Sequence, residues 1–111
     1  MRKVINISGK EVPLGTNGLV PLLYKKEFGS DFFGDIQKLF EKNIDWYVCI
    51  NLLWLFAKVE DKSIPDIEKW LSSFETFPVK DYFSDILEIS IACITSSQAK
   101  NDNAEKKTAG N

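Results

Sequence analysis

The chain has 111 residues, 14 basic and 16 acidic side chains, no histidine, and 44% hydrophobic residues, 13% of the total being aromatic. That is one domain with enough apolar side chains for a core. A net charge of −2 argues against a nucleic-acid binder, and the lack of histidine removes the commonest general base and metal ligand. The charge is uneven. Residues 1–58 carry eight basic and six acidic groups, whereas residues 59–97 carry three and eight, so the second half reads as a negative surface. Met1-Arg2-Lys3 is followed by no long apolar stretch, so no signal peptide and a cytoplasmic location are expected.

Residues 2–14 read as a β-hairpin. Ile5 and Ile7 alternate with Asn6, Ser8-Gly9-Lys10 turns, and Glu11-Val12-Pro13-Leu14 returns. Pro13 cannot donate to a ladder, so the second arm should face an open edge there. A helix capped by Asn17 and stopped by Gly29 follows, with Leu19, Leu22, Leu23 and Phe28 facing in and Lys25, Lys26 and Glu27 facing out. Ser30 should cap the next helix, Asp31 to Lys42. Its apolar stripe is Phe32, Phe33, Ile36, Leu39 and Phe40, opposite Asp35, Lys38 and Glu41.

The stretch 46–57, WYVCINLLWLFA, is apolar at eleven of twelve positions, broken only by Asn51. It is long for a strand and short of the roughly 20 residues that a membrane span needs. The spacing predicts a helix from Ile44 to Val59, apolar on every face and so buried on every side. Asn51 either bonds a buried polar partner or faces an opening. Ser63 should then cap a short helix ending near Ser73, with Ile67, Trp70, Leu71 and Phe74 inward. A last helix is expected over Val79–Ser97, with Ile89–Ile94 buried beside the central one. The fold class is thus mainly α, a small helical bundle around a buried central helix with an N-terminal hairpin. The domain should occupy residues 1–97, and residues 98–111, QAKNDNAEKKTAGN, read as a flexible polar tail.

Residue chemistry names no catalyst. Cys49 and Cys93 sit in apolar helical patterns and read as buried thiols. No glycine pattern cradles a phosphate, and neither a cofactor nor a metal site is expected. Asp81, Asp85 and Glu88 recur at i, i+4 and i+7. The plain reading is a solvated face; the functional one is a site for a basic partner or a divalent cation. Phe74 and Phe77 flank the Glu75-Thr76 link. Both suit core filling, and either could instead anchor a partner. Phe74, Phe77, Asp81, Asp85 and Glu88 are therefore the candidate partner-binding residues.

The order of the pieces carries a resemblance. Ile5-Asn6-Ile7-Ser8-Gly9-Lys10-Glu11 is followed by Gly15-Thr16-Asn17-Gly18-Leu19, then by Lys26-Glu27-Phe28-Gly29-Ser30-Asp31-Phe32-Phe33. Next come Leu52-Leu53-Trp54-Leu55-Phe56-Ala57-Lys58 and the block 67–77, IEKWLSSFETF. Over residues 4–97 this resembles the tail assembly chaperones of long-tailed bacteriophages and prophages of Gram-positive hosts. Pro21 departs from the plain helix expected there. The resemblance implies a non-enzymatic helper of virion morphogenesis in the host cytoplasm. Such a helper holds the tape measure protein soluble, brings tail tube protein to it, and leaves before the virion is finished. It also implies contact through an apolar cleft with an acidic rim, and a longer frameshifted form, for which a slippery run at Lys106-Lys107 is one place. Self-association as a homo-oligomer has a starting point in the open hairpin edge. No nucleic acid and no membrane is expected as a partner. The alternative is a small adaptor or regulatory module that binds one folded protein.

Overall fold

A computed structural model describes residues 1–95. The tail expected over 98–111, with Lys106-Lys107, lies outside the described residues. The chain opens with two antiparallel strands, β1 (Arg2–Ile7) and β2 (Lys10–Gly15), paired from Arg2 opposite Gly15 to Ile7 opposite Lys10. The turn is only two residues, Ser8 and Gly9, both at positive φ (52° and 86°). That left-handed pair matches the twist of the flanking strands, and Gly9 adopts it without a Cβ clash. Asn6 Oδ1 accepts the Gly9 N–H at 3.0 Å. Ile5, Ile7, Val12 and Leu14 turn one face of the hairpin into the core.

The remainder is helical. It comprises α1 (Val20–Phe28), α2 (Phe32–Gln37) running into a 3-10 turn (Lys38–Phe40), α3 (Trp46–Glu60), α4 (Ile67–Ser72), a second 3-10 turn (Val79–Tyr82), and α5 (Phe83–Ile94). α3 touches β2, α1, α4, the second 3-10 turn and α5. Leu52, Leu53, Trp54, Leu55, Phe56 and Ala57 are consecutive and all buried, so the helix is enclosed around its whole circumference there. Its first turn is not: Tyr47 is 78% exposed. Trp54 Nε1 donates to the Pro65 carbonyl at 2.9 Å, which gives the buried indole its polar partner.

Two caps differ from those read in the sequence. Asp31, not Ser30, caps α2, its Oδ2 accepting the Gly34 N–H at 2.9 Å. Asp66, not Ser63, caps α4 by accepting the Lys69 N–H at 2.9 Å, while the Ser63 N–H and hydroxyl both donate to Asp61 Oδ1. In each case a carboxylate stands nearer the helix start than the serine. A full negative charge on N-terminal amides outcompetes a hydroxyl.

α1 begins at Val20, later than a helix capped by Asn17 would. Asn17 closes a turn of its own instead. Its Oδ1 accepts the Leu19 N–H at 2.8 Å and its carbonyl accepts the Val20 N–H at 3.2 Å. Pro21 then occupies the first turn, where no intrahelical N–H is required. The buried face is Val20 and Tyr24 with Leu23 and Phe28 half-buried, whereas Leu19 and Leu22, expected inside, are each 56% exposed. Gly29 ends the helix at φ 69°, donating to the Lys25 carbonyl at 2.8 Å.

The stripe of α2 also divides. Phe32, Ile36 and Leu39 are buried, Phe33 and Phe40 are exposed, and Asp35, expected outside, is only 6% exposed. The cause is Tyr24, whose hydroxyl donates to Asp35 Oδ2 at 2.8 Å. Lys38 Nζ lies 3.3 Å from Asp35 Oδ1. Burial pulls the Asp35 carboxyl upward, but hydrogen bonds from Tyr24, Ser30 and Lys38 outweigh it and hold it below the ordinary carboxylate value. Asn51, the one polar residue in the apolar run, is half-buried on α3.

α5 buries Ile86, Ile89 and Ser90 but leaves Ile91 and Ile94 on the surface, in contrast to the fully buried 89–94 stretch expected. It stops at Ile94, short of Ser97, because Thr95 is extended. Cys49 and Cys93 are free thiols, and burial pushes the Cys49 thiol up to about 11. Among the described residues no helix is long and apolar enough to cross a membrane.

Candidate partner-binding surface

Phe74 and Phe77 belong to one aromatic cluster. Trp70 meets Phe74 edge-on at 5.1 Å and Phe77 at 5.7 Å, and Tyr82 lies 6.0 Å from Phe77. Phe74 is buried and Phe77 half-buried. Lys10 Nζ sits 5.3 Å above the Phe74 ring and donates to the Ser73 carbonyl at 3.2 Å, so the hairpin covers this ring. The cleft beside it is small, about 170 Å³, and is lined by Lys10, Pro13, Asp61, Trp70 and Phe74 among others.

Asp81 falls in the second 3-10 turn, and only Asp85 and Glu88 of the acidic series lie on α5, where they serve the hairpin. Asp85 and Glu88 reach Lys3 Nζ at 2.8 and 2.5 Å and raise the Lys3 pKa above the usual lysine range, chiefly through those hydrogen bonds. Asp81 is exposed and makes no ion pair among the described residues. Among the described residues, no three His, Cys, Asp or Glu side chains gather as metal ligands.

A more apolar opening lies elsewhere. A groove of about 290 Å³ runs between the start of α1 and the end of α3, lined by Asn17, Leu19, Leu23, Leu55, Lys58, Val59 and Lys62. Leu19, the residue that caps the start of α1, and Leu23 are one turn apart, and Leu55 and Val59 are one turn apart on α3. Two apolar ridges, each a single turn long, therefore face each other. Leu22 extends the α1 ridge, since i, i+3 and i+4 share a helix face.

The rim is basic, not acidic. Lys58 donates to the Ile64 carbonyl and lies 5.9 Å from the Trp54 ring centroid. Lys62 makes no ion pair among the described residues. The nearest carboxylates in sequence are engaged otherwise, Glu60 with Arg2 at 2.7 Å and Asp61 with Ser63. The groove thus offers apolar contact beside a positive charge.

The sequence reading turned all three leucines inward, and of these only Leu23 packs against the core, while Leu19 and Leu22 are exposed. A signal was present: Val20, Tyr24 and Phe28 repeat at i, i+4 and i+8 along the whole helix, whereas the leucines end after its first turn. Lys58, Val59 and Lys62 had no signal, because their role depends on where α1 crosses α3. No protein-family model, curated protein or solved structure matches the chain.

Proposed function

We propose that this chain is a non-enzymatic tail assembly chaperone, one that binds the tape measure protein of a long-tailed phage and helps recruit tail tube subunits to it. The observation that carries the reading is the uncovered leucine face of α1. Leu19 and Leu22 stand 56% exposed beside an apolar groove, in a domain that otherwise encloses its central helix. Apolar side chains held on a rigid helix at the mouth of a groove suit a transient apolar client. The order of sequence blocks resembling such chaperones supplies the identity of that client.

The test is co-expression with a tape measure protein of a long-tailed phage. The soluble fraction of that protein is expected to rise when this chain is present. A tape measure protein equally insoluble with and without it would overturn the reading.

A further inference from the structure

We propose that the groove between α1 and α3 takes one turn of an acidic amphipathic helix from the partner. Two aliphatic side chains at i and i+3 or i+4 would enter the groove, and a carboxylate would lie against Lys62. This deepens the chaperone reading and rests on it for the partner's identity.

Three observations select this occupant. The ridges Leu19/Leu23 and Leu55/Val59 are each one helical turn long, the repeat that a third helix presents when its own ridge seats between them. The groove, at about 290 Å³, lies at the lower edge of the roughly 300–1,000 Å³ typical of small-molecule sites. It is sized for a pair of side chains, and its polar lining among the described residues is only Asn17, Lys58 and Lys62. The charge is one-sided. Lys58 and Lys62 line the groove and no carboxylate does, Glu60 being paired with Arg2, and Lys62 makes no ion pair among the described residues. An acidic helix complements that rim, and a basic one is repelled by it.

The full chain should be titrated with two fluorescein-labelled synthetic amphipathic peptides. They share one leucine stripe and differ only in carrying glutamate or lysine beside it. The glutamate peptide is expected to bind with micromolar affinity, and the lysine peptide at least about tenfold more weakly. Lys62→Glu should reverse that order. Leu19→Gln, at an exposed position and so without cost to the fold, should weaken the glutamate peptide at least about tenfold. Equal binding of both peptides, binding of neither, or indifference to Leu19→Gln would overturn the proposal. So would a dimer of the full chain in sedimentation that Leu19→Gln dissociates, because the occupant would then be a second copy.

Co-expression separates the two readings. If Leu19→Gln protein keeps the tape measure protein as soluble as wild type does, the groove proposal falls and the chaperone reading stands. If wild type fails to solubilise it while the peptide preferences hold, the chaperone reading falls and the groove stands.

Discussion

Phe56→Ala is expected to remove about 3–5 kcal/mol of unfolding free energy, measured by urea denaturation. Phe56 has no exposed surface and lies on α3, which β2, α1, α4 and α5 all contact. Deleting its ring loses the transfer free energy and leaves a cavity that surrounding elements, each fixed by its own contacts, cannot fill. A domain of this size has a total of about 5–15 kcal/mol, so roughly a fifth or more of it is at stake. Tyr47→Ala, nine residues earlier in the same helix, is the matched control. At 78% exposure it should change stability by less than about 0.5 kcal/mol. A loss below about 1 kcal/mol for Phe56→Ala would mean that the central helix is not enclosed.

Asp35→Ala is expected to cost about 3 kcal/mol, and Tyr24→Phe about 1–3 kcal/mol. The two residues tie α1 to α2 through a bond of 2.8 Å in the interior. Removing the carboxylate leaves the fully buried Tyr24 hydroxyl without its acceptor. Removing the hydroxyl leaves the carboxylate with one donor fewer but still beside Lys38 Nζ at 3.3 Å, so the loss is no larger. The double variant should lose less than the sum of the two, by about 1 kcal/mol or more, because the second change finds no bond left to break. The acid side carries a further sign. The Asp35 carboxyl is held below its unfolded value, so its contribution is complete above about pH 4 and fades as the pH falls through the lower, folded value. Asp35→Asn should therefore be less sensitive to acid than wild type between those values. Identical acid sensitivity would contradict the bond.

The architecture was legible in the sequence where one signal dominated. The run Trp46–Ala57 is apolar on nearly every face and is enclosed from Leu52 to Ala57, though not at Tyr47, and Gly9 and Gly29 mark places where the backbone turns left-handed. Alternating Ile5 and Ile7 are enough to orient the hairpin. What was not legible was a choice between two adequate faces. α1 carries leucines at 19, 22 and 23 and a longer series at 20, 24 and 28. Hydropathy alone favours the leucines. The buried choice follows from Tyr24, whose hydroxyl needs the Asp35 carboxylate, a partner eleven positions away that hydropathy places on the outside. The candidate surface moved for the same reason: turning α1 brought its leucines to the end of α3. The acidic residues of α5 illustrate the converse. Asp85 and Glu88 read as a free charged face, and Lys3, more than eighty positions earlier, takes both.

Hydrogen–deuterium exchange on the full chain, alone and mixed with a tape measure protein as the proposed client, tests the proposed groove most directly. Slower exchange is expected at the amides around Asn17–Leu23 and Asp61–Ser63, with little change over Phe74–Glu88. Protection confined to Phe74–Glu88, with the α1 and α3 amides unchanged, would place the client on the aromatic and acidic residues instead and contradict the groove.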